Sequence, residues 1–273
     1  MSFGSLEQLV DRLVSTVGED LPLWIESVSI GGSYARDEHD EHSDLDLFFV
    51  IAPGSDVTVH HAADTLFDWV GDVVLRRGPV FVPHFGYSIT AVLADLAVCQ
   101  MNVNTRETIE LNPMRSASRI ILDRDGFMTS LADRSKSLTI DLAKVYQEHY
   151  SYFWIRALYA SRSAERGELW RAIEYLADMR KAMQQVMRIQ HGRYSPVVGP
   201  YHPAKRYEEQ LGPDIARILE FSLPEYSKQS VLQCILESVE WFSRATRDTA
   251  GFPIEPDARD SAEMIERAVR GGA

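Results

Sequence analysis

The chain has 273 residues, of which 45% are hydrophobic and 25% are charged, a composition typical of a globular protein long enough for two domains. It contains no apolar run near the roughly 20 residues that a membrane-spanning helix needs, and its N-terminus lacks the basic and apolar segments of a signal peptide. Its two cysteines, Cys99 and Cys234, lie far apart in apolar surroundings and predict buried thiols. We therefore expect a cytoplasmic protein with no membrane partner.

The formal net charge of −12 is concentrated in the first half of the chain. Residues 1–128 contain 20 acidic side chains against eight arginines and no lysine, whereas residues 129–273 contain 20 acidic and 20 basic side chains. A protein that binds nucleic acid needs a basic surface for the phosphates, so this distribution argues against a nucleic-acid substrate. It suits a cationic small molecule, although the acidic surplus is equally consistent with a role in solubility alone.

The first half is predicted to form a mixed β-sheet flanked by helices. Apolar residues recur at helical spacing in two segments, and alternating or apolar segments of strand length occupy most of the remainder. The predicted helices cover residues 6–14 and 57–70, and the predicted strands cover 24–30, 44–50, 79–85, 87–94, 97–105 and 119–122. Asp123 and Asp125 are predicted to shape the turn that ends the last strand.

The second half is predicted to be almost entirely helical from Thr129 onward. Two long amphipathic patterns are separated by Gly167, and the predicted helices cover residues 140–158, 169–189, 204–211, 215–221 and 227–247. Because short connections join most of these segments, we expect an antiparallel bundle. The predicted fold class is therefore α+β, with a sheet domain over residues 1–128 and an α-helical bundle domain over residues 129–273.

The most informative stretch lies between residues 30 and 50. Asp44 and Asp46 are two apart in a predicted strand, so their side chains project from the same face. Two adjacent carboxylates repel each other unless a cation lies between them, and Mg²⁺ prefers such oxygen ligands. Upstream, Gly31 and Gly32 allow the backbone to approach a bulky anion, and Ser33 is suited to cap a helix starting at Tyr34. The stretch predicts a site for a metal ion and a triphosphate.

These residues resemble the signature of the DNA polymerase β-like nucleotidyltransferases. The matching segments are Gly32-Ser33-Tyr34-Ala35-Arg36 and Ser43-Asp44-Leu45-Asp46-Leu47. Within that superfamily the chain looks most like the adenylyltransferases that modify aminoglycoside or lincosamide antibiotics, including in its C-terminal helices. The resemblance implies a nucleotidyltransferase with ATP as co-substrate, Mg²⁺ bound by catalytic Asp44 and Asp46, and phosphates held at Gly32 and Ser33. It also implies a role in antibiotic resistance. Asp37 stands where the family usually has glycine, and we expect it to tolerate a positive φ.

One position departs from the pattern of that superfamily, in which a later strand usually supplies a third acid. Gln100 stands where that acid is expected, and an amide cannot accept a proton near neutral pH. Another carboxylate could serve as the base, with Asp95, Glu107 and Glu148 as weak candidates, or the acceptor could need no base. Alternatively, the protein binds a nucleotide as a sensor or partner and transfers poorly.

Cations for the phosphates are scarce in the first half, where Arg36 is the only arginine inside the motif and is expected to anchor the turn. By resemblance to the family, Lys205 after a proline-containing loop and Arg180 on the preceding long helix are expected to contact phosphates, with Arg188 behind them. We therefore expect the nucleotide to contact both halves. The expected acceptor is a hydroxyl of a small molecule, although a protein hydroxyl remains an alternative. The sequence is compatible with a monomer or a homodimer.

Overall fold

The computed structural model describes residues 4–16, 21–83, 85–197, 202–247 and 251–272. The chain divides into two compact units, Met1–Leu138 and Thr139–Ala273. In the described part of the chain, no helix combines the length and hydropathy needed to cross a bilayer.

The first unit is built on one mixed sheet of six strands within the described residues. The strands lie in the order β3-β4-β5-β2-β1-β6; β2 and β5 are parallel, and the other neighbours are antiparallel. The elements are α1 (Gly4–Thr16), β1 (Ile25–Ile30), α2 (Gly32–Ala35), β2 (Leu45–Ile51), α3 (Val59–Val70), β3 (Val73–Val82), β4 (Gly86–Leu93), β5 (Val98–Asn104), a 3-10 helix (Pro113–Ala117), β6 (Arg119–Asp123) and α4 (Phe127–Lys136).

The two faces of this sheet differ in polarity because residues alternate along each strand. Leu45, Leu47 and Phe49 of β2 are fully buried on one face, where they pack with apolar residues of α1 and α3. Asp46 and Phe48 point to the other face. The apolar face therefore forms the main core of the unit, and the second face is left for polar side chains.

Part of this second face is covered by a smaller core that includes α4. Met128 and Leu131 of α4 pack with Val50 of β2 and with Ile109. Because these contacts attach α4 to the sheet, the division between the units falls after Leu138, whereas the sequence placed the domain boundary after Met128. The end of the face that carries Asp46 is not covered in this way, and the Asp46 side chain is only half-buried.

The second unit consists of helices throughout its described residues. They are α5 (Leu142–Glu165), α6 (Leu169–Gln190), α7 (Tyr207–Leu211), α8 (Pro213–Arg217), a 3-10 helix (Ile218–Ser222), α9 (Lys228–Ala245) and α10 (Pro256–Gly272). The long helices α5, α6 and α9 enclose a separate hydrophobic core. At its centre the rings of Phe153 and Phe242 stack with centroids 3.7 Å apart. The α+β fold expected from the sequence is confirmed.

Strand β3 and helix α10 are among the elements that differ from the sequence-based prediction. Strand β3 begins at Val73 and continues through Gly78 and Pro79, whereas the sequence predicted a strand from Pro79. As an edge strand, β3 tolerates a proline because one side of its backbone has no neighbouring strand to hydrogen-bond. Helix α10 was not predicted, because its few buried apolar residues, such as Ala262 and Val269, are spread among charged ones.

Candidate active site

The turn between β1 and α2 brings the backbone against the Asp46 side chain. The Gly31 N–H donates to the Asp46 carbonyl oxygen at 2.8 Å, which ties the turn to β2. Gly32 has φ +60°, and a Cβ added there would overlap Oδ2 of Asp46. Glycine at position 32 is therefore required twice, once by the left-handed backbone and once by the neighbouring carboxylate.

Other residues of the motif also have identified roles in this turn. Ser33 does not cap α2 as expected, because the helix starts at Gly32, Gly31 is its N-cap, and Ser33 lies buried inside it. Asp37 has φ 55°. This positive φ was expected, because the family usually has a glycine at this position. Arg36 donates from Nε to Oε2 of Glu38 at 2.9 Å, an ion pair within the loop.

Asp44, Asp46 and Gln100 meet at the exposed end of the polar face. In the parallel ladder Asp46 lies opposite Gln100, so both side chains point to the same face. The Gln100 amide Nε2 donates to Asp44 Oδ2 at 3.0 Å. Gln100 therefore lies beside the two aspartates, and it contributes a hydrogen-bond donor where a third acid would contribute a negative charge.

The surroundings of the acid pair continue this polar character. Thr90 of β4 lies opposite Gln100, and one position along the same face Ser88 lies opposite Asn102 of β5. Behind the sheet, burial followed by the charges of Asp46 and Asp44 raises the pKa of Cys99 to about 12. This thiol faces the apolar core and is not a nucleophile at neutral pH.

The donor set fits a magnesium ion that receives its remaining ligands from a nucleotide and from water. Among the described residues, no third His, Cys, Asp or Glu joins the pair. Mg²⁺ commonly takes only one or two protein carboxylates together with substrate phosphates, so two acids are sufficient. Asp95 accepts a hydrogen bond from Ala97 N at 3.1 Å within its turn, and Glu107 is exposed.

The cations expected from the second half have different surroundings within their own unit. Arg180 donates from Nε to Ser222 Oγ at 2.8 Å and from Nη2 to the Ser222 carbonyl, and burial lowers its pKa. Arg188 is buried and donates to the carbonyls of Pro203 and Lys205, so it anchors the segment before α7. The side chain of Lys205 is exposed. Of these three, Lys205 is the cation best able to meet a ligand.

The candidate base on α5 also has an identified environment. Glu148 is exposed, and the neighbouring His149 is half-buried. The pKa of His149 is lowered, because burial lowers it by more than the charge of Glu148 raises it.

Sequence reasoning missed Arg115, which belongs to the 3-10 helix beside the polar face. Its side chain is 2% exposed, and its Cζ lies 4.1 Å from the centre of the Phe48 ring. Arg115 lies outside the motif, in a connection between two strands, and nothing in its neighbouring residues indicates a ligand. Only the fold brings it to the strand that carries Asp46.

One comparison with known proteins matches the part of the chain that holds this site. Residues 10–123 match the family model described as a nucleotidyltransferase domain. No curated protein sequence matches the chain. Similar solved structures include an aminoglycoside 6-adenyltransferase from Bacillus subtilis, with 12% identity, 99% of each chain covered and a TM-score of 0.39. A nucleotidyltransferase-like protein from Exiguobacterium sibiricum has 11% identity, 88% of this chain and 75% of that chain covered, and a TM-score of 0.40. At these TM-scores the two similarities carry no weight for the function.

Proposed function

We propose that the protein transfers AMP from ATP to a hydroxyl of a small molecule and releases pyrophosphate, since residues 10–123 match the model of a nucleotidyltransferase domain. The observation that carries this proposal is the position of Asp46, whose carboxylate lies against Gly32 and on the same face as Gln100. A pair of carboxylates placed beside a glycine turn provides adjoining places for a divalent cation and for phosphates.

Each residue of the site would have a separate task in this reaction. Asp44 and Asp46 would hold Mg²⁺, which neutralises phosphate charge and favours departure of pyrophosphate when it is bound. The Gly32 backbone and Ser33 would position the terminal phosphates. Gln100 orients the Asp44 carboxylate through its amide donor. Lys205 and Arg180 remain proposed phosphate contacts, although Arg180 would have to exchange its bonds to Ser222.

The proposed acceptor is a cationic small molecule, such as an aminoglycoside. The first half of the chain carries a net charge of −12, which attracts cations and disfavours a polyanionic acceptor. The resemblance noted in the sequence allows a lincosamide as well. A hydroxyl on another protein would use the same chemistry and differs only in its acceptor.

The central test replaces Asp44 by Asn, which keeps the side-chain size and removes one charge. We expect Asp44→Asn to fold and to lose roughly a hundredfold or more of its Mg²⁺-dependent pyrophosphate release with ATP and a panel of hydroxylated acceptors. The control is Asp56→Asn, which removes the same charge at an exposed position of the same unit. Full transferase activity and unchanged Mg²⁺ dependence in Asp44→Asn would refute the proposed site.

One observation favours a second function, a nucleotide-binding sensor or partner with weak chemistry. Gln100 supplies a donor at the position of an acid, and no third acid joins the pair in the described structure. Calorimetry with Mg²⁺ and ATP separates the two functions. Tight binding without pyrophosphate release for any acceptor, protein acceptors included, would favour the sensor, whereas turnover with one acceptor class would exclude it.

A further inference from the structure

The two terminal nitrogens of the Arg115 guanidinium are buried without a hydrogen-bond acceptor in the described structure. Within the described structure neither Nη1 nor Nη2 has a partner, although the residue is 2% exposed. Its contact with the Phe48 ring is a cation–π stack. Other arginines of the same unit do have acceptors: Arg106 donates to the Glu26 carboxylate and Arg124 to the Ile25 carbonyl.

This arrangement is unfavourable for the unliganded fold. Burying a charge without a counter-charge costs several kcal/mol, far more than a cation–π contact returns. Burial lowers the pKa of Arg115 to about 10, so the guanidinium still carries its charge at neutral pH. A buried, charged and unpaired donor of this kind is best explained by an anion that pairs with it in the functional state.

The position of Arg115 indicates which anion this is. Phe48 is two residues from Asp46 on the same face of β2, about 7 Å along the strand. The Phe48 ring also lies against Gly31, since a Cβ at Gly31 would overlap its Cε2. The guanidinium therefore stacks on a ring that lies against the glycine turn and belongs to the strand that carries Asp46.

A second polar atom on this face also has no partner. Ser29 of β1 lies opposite Phe48 in the ladder, and its buried Oγ makes no hydrogen bond in the described structure. A guanidinium and a hydroxyl can both donate to phosphate oxygens. Both of these groups belong to the polar face that carries Asp46.

We propose that Arg115 is a phosphate-binding residue of the N-terminal unit and pairs with a terminal phosphate of the nucleotide, an inference that rests on the proposed nucleotidyl transfer. Rotation about its own side-chain bonds would carry the guanidinium from the Phe48 ring toward the glycine turn. Its two-pronged donor would then meet phosphate oxygens, while Asp44 and Asp46 hold the metal. Arg115 would thereby provide a phosphate-binding cation from the first half of the chain, where cations are scarce.

The test uses the full chain with the variant Arg115→Met. This change replaces the buried charged side chain with an unbranched apolar one. The probes are Mg²⁺ with inorganic tripolyphosphate, Mg²⁺ with ATP, and adenosine without phosphate. We expect Arg115→Met to bind both triphosphates about 10- to 100-fold more weakly and adenosine equally well. We also expect its Tm to be unchanged or raised, because an unpaired buried charge has been removed.

The matched control is Arg119→Met. Arg119 lies opposite Ile30 on β6, so it faces the other side of the sheet, and its side chain is exposed. This control should bind all three probes like the unchanged protein. If Arg115→Met does not fold, Arg115→Lys keeps the charge but loses the two-pronged donor, and we expect selective weakening for the triphosphates alone.

The outcomes separate this inference from the proposed function. If the unchanged protein binds neither triphosphate, the proposed function fails and the inference fails with it. If the unchanged protein binds them and the Arg115 variant binds equally well, only the inference is overturned. A lowered Tm with unchanged triphosphate affinity would show that Arg115 has a structural role instead.

Discussion

Gln100 contacts the acid pair through one hydrogen bond. Its amide donates to Asp44 Oδ2 at 3.0 Å, so it adds a donor and no negative charge beside the pair. A third carboxylate at this position would repel the pair when no cation is bound and would attract Mg²⁺ more strongly when one is available.

Replacing Gln100 by Glu should therefore strengthen magnesium binding and weaken the metal-free fold. We expect a Tm below that of the unchanged protein in EDTA, and a Mg²⁺ concentration for half-maximal stabilisation that is roughly tenfold lower. Thermal unfolding across a Mg²⁺ titration measures both effects. Gln100→Met is the control, because it removes the donor to Asp44 and adds no charge. Equal Mg²⁺ midpoints for Gln100→Glu and Gln100→Met would contradict a metal site at this pair.

Substituting Gly32 shows how much of the effect comes from the added Cβ meeting Asp46 and how much comes from the left-handed backbone. Gly32 has φ +60°, and the Cβ added in Gly32→Ala would overlap Asp46 Oδ2. Gly54 has a similar φ of +73°, but nothing lies within 4 Å of the Cβ added in Gly54→Ala. Both variants should lose about 1 kcal/mol of unfolding free energy from the left-handed backbone.

Only Gly32→Ala should also lose pyrophosphate release, by roughly a hundredfold, because the displaced carboxylate no longer holds the metal in place. Activity assays together with urea unfolding distinguish the two contributions. Similar activities in Gly32→Ala and Gly54→Ala would show that the position of Asp46 is not critical.

At the scale of elements, Asp123 joins β6 to α4. Its carboxylate accepts hydrogen bonds from Ser27 Oγ at 3.0 Å, from the backbone of Met128 at 3.1 Å and from the backbone of Thr129 at 2.8 Å. Burial raises its pKa, but the hydrogen bonds from Thr129, Met128 and Ser27 outweigh burial, so the pKa is lowered. The stabilisation is present above the ordinary value of 3.8 and is lost as the pH falls through the lower value of the folded state.

Asp123→Ala should consequently reduce the unfolding free energy by about 1–2 kcal/mol at pH 7. The difference from the unchanged protein should shrink as the pH is lowered below 3.8, because the Asp123 carboxyl group becomes protonated as the pH falls through its lowered folded-state pKa. Urea unfolding at several pH values measures this. The control Asp133→Ala removes an exposed charge of α4 and should change stability by no more than about 0.5 kcal/mol. A pH-independent difference for Asp123→Ala would show that the charge of the Asp123 carboxylate does not contribute to stability.

The elements that could be predicted are those whose pattern of buried residues matches a regular period. β2 continues from Leu47 as a buried apolar run, and α5 carries one long apolar stripe. The first part of β3 is exposed on both faces, so no alternation marks it. The nearness of Asp44 and Asp46 on the chain was apparent from their spacing, although Asp44 lies just before β2 and their role as a site stays a prediction. Arg115 could not be predicted, because its contact with Phe48 depends on how a connecting segment folds over the sheet.

At the scale of the whole molecule, the unequal charge distribution raises the question of which unit supplies cations to the nucleotide. The first half has eight arginines and no lysine, and Mg²⁺ with ATP still carries a net negative charge. Arg180 and Arg188 donate to groups of their own unit, whereas Lys205 is exposed. Lys205 is therefore the side chain through which the helical unit is proposed to contribute to nucleotide binding.

We expect Lys205→Ala to weaken binding of Mg²⁺ with ATP by about ten- to a hundredfold, because a charge-assisted phosphate contact is worth roughly 1.5–3 kcal/mol. Its Tm should not change, since an exposed lysine contributes little to stability. Calorimetry on the full chain measures the affinity. Lys228→Ala is the control, because it removes one charge from the same unit at a surface ion pair with Glu165. If Lys205→Ala and Lys228→Ala bind the nucleotide equally well, the helical unit supplies no phosphate contact through Lys205.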